Sequence, residues 1–101
     1  MSQEMTAKVA EIRKQAGALL VDVRTPDEYA AGHIPGSVNV PLENIFAVDQ
    51  AGATEETPLY LYCLTGTRAN RAKLKLEREG YQFVENIGGI EQWDAEVEKN
   101  A

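Results

Sequence analysis

Short apolar runs separated by helix-like segments constrain this chain more than any other feature. Leu19-Leu20-Val21-Asp22-Val23, Val38-Asn39-Val40, Leu59-Tyr60-Leu61-Tyr62 and Phe83-Val84-Glu85 each read as strands. The first run is almost continuously apolar, as in a strand covered on both faces. Met5, Val9, Ile12 and Ala16 recur at helical spacing, so residues 4–15 read as an amphipathic helix stopped by Gly17. Thr25 is placed to cap a second, short helix, with Pro26 at its first position, Glu28 completing a capping box and Gly32 ending it. His33-Ile34-Pro35-Gly36 reads as a turn, Pro41 closes the strand Val38-Asn39-Val40, residues 42–47 read as a helical turn and residues 49–58 as a polar loop. Residues 68–79 read as a helix ended by Gly80, Gly88-Gly89 as a tight turn, and 90–98 as a final helix around Trp93. Strand–helix alternation of this kind predicts an α/β fold, an open parallel sheet of about four to five strands with helices on both faces.

With 101 residues the chain has room for one core, so residues 1–101 are expected to form one domain, an N-terminal helical segment 1–17 and a core 18–98. An apolar content of 44% excludes a disordered chain. No apolar run approaches the roughly 20 residues that cross a bilayer, so no membrane partner is expected. Met1-Ser2-Gln3-Glu4 lacks the basic start and apolar stretch of a secretory signal. The single cysteine excludes an intramolecular disulfide and is too few for a cysteine-based metal site; the reducing cytoplasm is the compartment it fits. A net charge of −6, from 16 acidic and 10 basic residues, argues against nucleic acid as a partner. It also requires a local positive site if the ligand is an anion. Half of the basic residues, Arg68, Arg71, Lys73, Lys75 and Arg78, follow closely on the cysteine. A monomer is the expectation for a chain this short with an acidic surface.

That cysteine, Cys63, ends the run Leu59–Tyr62 and opens the loop Leu64-Thr65-Gly66-Thr67-Arg68 ahead of a helix. The carboxyl edge of a parallel sheet is where open α/β folds bind ligands. Backbone N–H groups and the positive end of a helix dipole meet there, and both favour a thiolate. Gly66 suits a tight curl that needs positive φ or close approach to a ligand. Thr65 and Thr67 can offer hydroxyl groups. Arg68 presents a forked set of donors suited to an oxyanion, or alternatively a salt bridge to a carboxylate. Asp22, at a strand end near the same edge, is a candidate to hydrogen-bond and orient loop backbone. Arg24 and Glu28 are spaced for a short-range ion pair that serves as scaffold.

Three blocks together resemble the rhodanese family. Asp22-Val23-Arg24-Thr25-Pro26-Asp27-Glu28-Tyr29, followed by Gly32-His33-Ile34-Pro35-Gly36-Ser37-Val38-Asn39, is similar to its paired signature. Cys63-Leu64-Thr65-Gly66-Thr67-Arg68 is similar to its active-site loop, and Asn86-Ile87-Gly88-Gly89-Ile90-Glu91-Gln92-Trp93 to its C-terminal signature. The blocks stand in family order and cover roughly residues 18–94. The resemblance implies a single-domain sulfurtransferase on a rhodanese-like open parallel sheet. Cys63 would take a sulfane sulfur from a small-molecule donor, thiosulfate or a persulfide or polysulfide, and pass it to cyanide, a thiol or a protein acceptor. Leu64, Thr65, Gly66, Thr67 and Arg68 would bind substrate. No metal and no organic cofactor is implied. His33 falls in the structural His-Ile-Pro-Gly turn rather than in a catalytic role.

Leu64 departs from the family pattern, because many members with thiosulfate activity carry a basic residue there. Its absence removes one positive charge from the pocket mouth, so only a modest preference for thiosulfate is expected. Two other readings compete. Related folds host phosphatases and arsenate reductases whose loop has five residues between Cys and Arg; here four separate Cys63 from Arg68, a smaller cradle that suits sulfur better than phosphate. The other is a sulfur-relay module that delivers to a protein partner without free turnover.

Overall fold

The computed structural model describes residues 2–100; Met1 and Ala101, the ends of the expected domain, lie outside the described residues. The elements are α1 (Ser2–Arg13), β1 (Leu19–Asp22), α2 (Pro26–Ala31), β2 (Val38–Asn39), a 3-10 segment (Leu42–Ala51), β3 (Leu59–Cys63), α3 (Thr67–Arg78), β4 (Val84–Gly89) and a 3-10 turn (Ile90–Gln92). All strand pairings are parallel, in the order β2-β1-β3-β4. The sheet has four strands among the described residues.

Alternation along the strands sorts the side chains into two buried layers. Val21, Val23, Leu59, Leu61 and Cys63 face one cluster, closed by Ile45 and Val48 of the longer 3-10 segment and by Ala69, Ala72 and Leu76 of α3. Leu20 and Tyr62 face the other, closed by Met5, Val9 and Ile12 of α1. Helices therefore cover both faces, and Cys63 at the end of β3 points toward α3 rather than α1.

Several boundaries differ from the sequence reading. Helix α1 ends at Arg13, and Ala16 lies beyond it, exposed. The turn at 42–47 continues as a 3-10 segment to Ala51, with non-helical backbone at Asn44, so it takes up part of the expected loop. The expected tight turn at Gly88-Gly89 is instead the end of β4, which runs from Val84 to Gly89. The register shifts between Leu61 and Tyr62, which pair with Asn86 and Gly88, leaving Ile87 as the extra residue of a β-bulge. The expected final helix 90–98 is a single 3-10 turn followed by extended chain. The backbone groups of Glu98 go to His33, whose N–H donates to Glu98 O (2.9 Å) while Glu98 N–H donates to His33 O (2.9 Å). Asn100 N–H donates to Ala30 O at 3.0 Å. Trp93 packs against the α1-side cluster and its indole N–H donates to Glu96 O (3.0 Å), fixing the tail without a helix.

A buried polar network ties Tyr62 of β3 to the connection between α2 and β2. Ile34 N–H donates to Tyr62 Oη at 3.0 Å, and Ser37 Oγ lies 2.9 Å from the same oxygen. Burial pushes the Tyr62 phenol up, which keeps it neutral inside the molecule. His33 is buried, stacked on Tyr29 with ring centroids 3.7 Å apart, and its Nδ1 lies 2.8 Å from Tyr29 O. These contacts place it in the scaffold.

Candidate active site

The site forms where β3 ends and α3 begins. Cys63 is the last residue of β3, in register with Gly89 of β4. The chain then curls through Leu64, Thr65 and Gly66 before α3 starts at Thr67. Gly66 carries φ +108°, the left-handed backbone that glycine adopts without steric cost. That turn aims main-chain amides back at the sulfur. Gly66 N–H donates to Cys63 Sγ at 2.9 Å and Ala69 N–H donates at 3.4 Å. The second donor belongs to the first turn of α3, whose opening N–H groups have no helical partner. Amides converging on one point stabilise negative charge there without themselves being consumed as acids.

Cys63 is only 1% exposed and belongs to the α3-side core cluster. The loop above it is open: Leu64 is 44% exposed, and Thr65 and Thr67 are exposed with their hydroxyls 3.3 Å apart. The sulfur thus sits at the base of the loop, buried yet hydrogen-bonded by two amides, a surrounding that an inert core cysteine has no need of.

The floor under the loop comes from β4. A Cβ on Gly89 would fall 2.6 Å from Thr65 Cα and onto the Leu64 carbonyl, so only glycine lets the loop backbone lie against the strand. Asn86 ties the two together: its Nδ2 donates to Gly66 O at 3.0 Å, and its Oδ1 accepts from Gly88 N–H at 2.9 Å. Glu91 N–H donates to Leu64 O at 3.3 Å. Asn86 and Gly89 are parts of the site that reading the sequence block by block does not reveal. Both lie in the C-terminal signature, and that co-occurrence with the cysteine loop was the available signal.

The charged residues pair differently from the sequence expectation. Arg24 does not reach Glu28. Its Nη2 lies 2.6 Å from Asp22 Oδ2 and donates to Gly32 O at 2.7 Å, because Arg24 precedes the cap of α2 and does not share a helical face with Glu28. Asp22 is fully buried and accepts from the Arg24 backbone N–H at 2.9 Å, so it orients the β1–α2 turn rather than the cysteine loop. Glu28 instead takes Arg68 in a two-pronged ion pair, Nη1 to Oε1 at 2.7 Å and Nη2 to Oε2 at 3.0 Å. Of the two partners open to Arg68 in the sequence, an oxyanion or a carboxylate, the structure supplies the carboxylate. The Arg68 hydrogen bond holds the Glu28 carboxyl down at about 2, from an ordinary 4.5. The same hydrogen bond raises Arg68 against the opposing effect of burial, with the charges of Glu28, Cys63 and Asp22 adding to the rise.

Beside this pair lies a cavity of about 330 Å³ lined by Val23, Thr25, Pro26, Pro41, Leu42, Glu43, Asn44 and Arg68. Val23 follows β1, its N–H donating to Tyr62 O next to Cys63, so the cavity wall adjoins the cysteine. Among the described residues no group of three or more His, Cys, Asp or Glu side chains gathers that could hold a metal ion. No helix among them is long and apolar enough to cross a membrane.

The model of the rhodanese-like domain matches residues 5–96. The chain belongs to the rhodanese-like family. Rhodanese relatives include a protein named thiosulfate sulfurtransferase GlpE from Pseudomonas putida, 37% identical over 87 residues, covering 84% of this chain and 77% of that protein. The chain is also 31% identical over 101 residues to a yeast protein named adenylyltransferase and sulfurtransferase uba4 from Ogataea parapolymorpha; the match covers 99% of this chain but spans only 26% of that longer protein. A solved structure described as a rhodanese with anions from E. coli superposes with a TM-score of 0.74 at 30% identity, covering 81% of this chain and 98% of the other. The rhodanese fold of this chain, a four-stranded parallel sheet between helices, agrees with the architecture that the strand–helix alternation predicts.

Proposed function

We propose that this rhodanese-like protein moves sulfane sulfur through a persulfide on Cys63. The thiolate attacks the outer sulfur of a donor, forming a new S–S bond to Cys63. The donor's own bond to that sulfur breaks, and the leaving group departs with the electron pair, as sulfite from thiosulfate or as a thiolate from an organic persulfide. An acceptor then attacks the outer sulfur of the Cys63 persulfide, and the Cys63 thiolate leaves and is restored. Cyanide becomes thiocyanate in this second step; a thiol or a protein acceptor takes the sulfur in the same way. Both steps put charge on sulfur at the base of the loop. The observation that carries the reading is the pair of amides, from Gly66 and Ala69, aimed at Sγ. A reducing compartment such as the cytoplasm keeps the thiol available for loading.

The four residues between Cys63 and Arg68 support this reading over phosphate chemistry, because that cradle is smaller than the five-residue loop of the phosphatases. A protein acceptor is the second form of the same proposal, supported by the likeness to one part of a longer protein named as a sulfurtransferase. Intact mass after incubation with thiosulfate or an organic persulfide tests both. Cys63 gains one sulfur atom and loses it on addition of cyanide, and Cys63→Ser does neither. Failure to load from any donor overturns the proposal.

A further inference from the structure

The rim of the loop offers an anionic donor little positive charge. Leu64 is apolar and exposed, Thr65, Gly66 and Thr67 are neutral, and Arg68 is held by both oxygens of Glu28. Glu28 is itself fixed in place. Its Oε1 accepts from Thr25 N–H at 3.0 Å as part of the α2 capping box, so the carboxylate faces Arg68 without needing to be ordered by it. A dianion approaching Arg68 must therefore compete with a resident carboxylate. Beside the pair, the cavity adjoining Val23 has an apolar wall of Val23, Pro26, Pro41 and Leu42, which favours an apolar group, with Thr25, Glu43, Asn44 and Arg68 completing its lining.

Resting on the sulfur-transfer reading above, we infer that Glu28 determines donor specificity: by occupying Arg68 it disfavours doubly charged inorganic donors and favours singly charged donors whose sulfur carries an apolar organic group seated beside Val23. Glu28 acts through Arg68 and is a positioning residue, not a catalytic one. The donor chemistry is the same for both classes. Cys63 attacks the terminal sulfur, and the leaving group is sulfite in one case and an organic thiolate or sulfinate in the other.

The test compares thiosulfate with benzenethiosulfonate, a singly charged donor with an aromatic ring whose leaving group is benzenesulfinate. Rates of sulfur loading on Cys63, followed by intact mass, give the ratio of the two donors in wild type and in Glu28→Gln. Glutamine keeps the capping box while removing the charge. The expected result is a ratio of thiosulfate to benzenethiosulfonate that rises about fivefold in the variant, the scale of a partly exposed ion pair, and a rise that shrinks in high salt. An unchanged or lower ratio overturns the inference. Where circular dichroism shows that Glu28→Gln does not fold, Glu28→Asp withdraws the carboxylate by one methylene and must move the ratio in the same direction; no rise there overturns it equally. Wild type that loads from both donors with a ratio insensitive to these variants leaves sulfur transfer standing and removes only the role of Glu28. Wild type that loads from neither overturns both.

Discussion

Gly89 and Asn86 show how much of the cysteine loop is set by single residues of the neighbouring strand. Gly89→Ala drives a methyl group into the Leu64 carbonyl and the Thr65 backbone. The expected cost is about 1–3 kcal/mol of stability, seen as a lower urea midpoint. Loading of Cys63 should slow at the same time, because the curl must lift off β4. Asn86→Ala leaves Gly66 O and Gly88 N–H without their side-chain partners, and about 1–3 kcal/mol is expected from the same measurement. Measured against a free thiol, Cys63, 1% exposed, should be slowed far more toward a bulky maleimide than toward small iodoacetamide; equal slowing would show a loop that opens freely. The need for Cys63, Gly66 and a curled loop is readable locally, since all lie within one short stretch. The need for glycine at 89 is not, because it arises from a chain segment 24 to 25 residues earlier lying on it.

At the scale of elements, the first turns of α2 and α3 are pinned together through Glu28. Its backbone N–H donates to Thr25 Oγ1 at 3.3 Å, and its carboxylate serves both the Thr25 amide and Arg68. Because the Glu28 carboxyl is held at about 2 in the folded chain against an ordinary 4.5, its contribution is present above about pH 4.5 and is lost as pH falls toward 2. Both side chains are 32% exposed, so the contribution is about 1 kcal/mol at most after screening. Urea midpoints of wild type and Glu28→Gln should therefore differ at pH 6 and converge as pH is lowered through this window. A gap that stays constant would show that the carboxylate adds nothing through its charge. Helix α2 is legible to the residue, since Thr25, Pro26, Glu28 and Gly32 announce both ends. The partner of Glu28 is not. Sequence spacing suggests Arg24, whereas the actual partner is 40 residues away and is brought close only by the sheet. The tail after Ile90 differs for a similar reason: its pattern allows a helix, but pairing of Glu98 with His33 satisfies the backbone in an extended form.

For the whole molecule, a charge of −6 with the one loop arginine already paired means that a dianionic donor meets net repulsion on approach. Raising ionic strength from about 10 mM to about 150 mM should increase kcat/KM for thiosulfate by about twofold while changing an uncharged donor little. A fall with salt would reveal that the basic residues following Cys63 on α3 create a local positive field that outweighs the net charge. The two core layers explain why the overall architecture is legible in the sequence. Leu19 to Val23 and Leu59 to Cys63 send alternate side chains to opposite faces, and both faces find helices, so the apolar runs could belong only to interior strands.

Both contacts to the reactive sulfur come from peptide groups. A lineage can therefore rewrite positions 64, 65 and 67 without discarding the two amides that face the Cys63 sulfur. On the sulfur-transfer proposal, substitution there would select which molecule is served, while the cradle itself would pass on through the shape of the main chain.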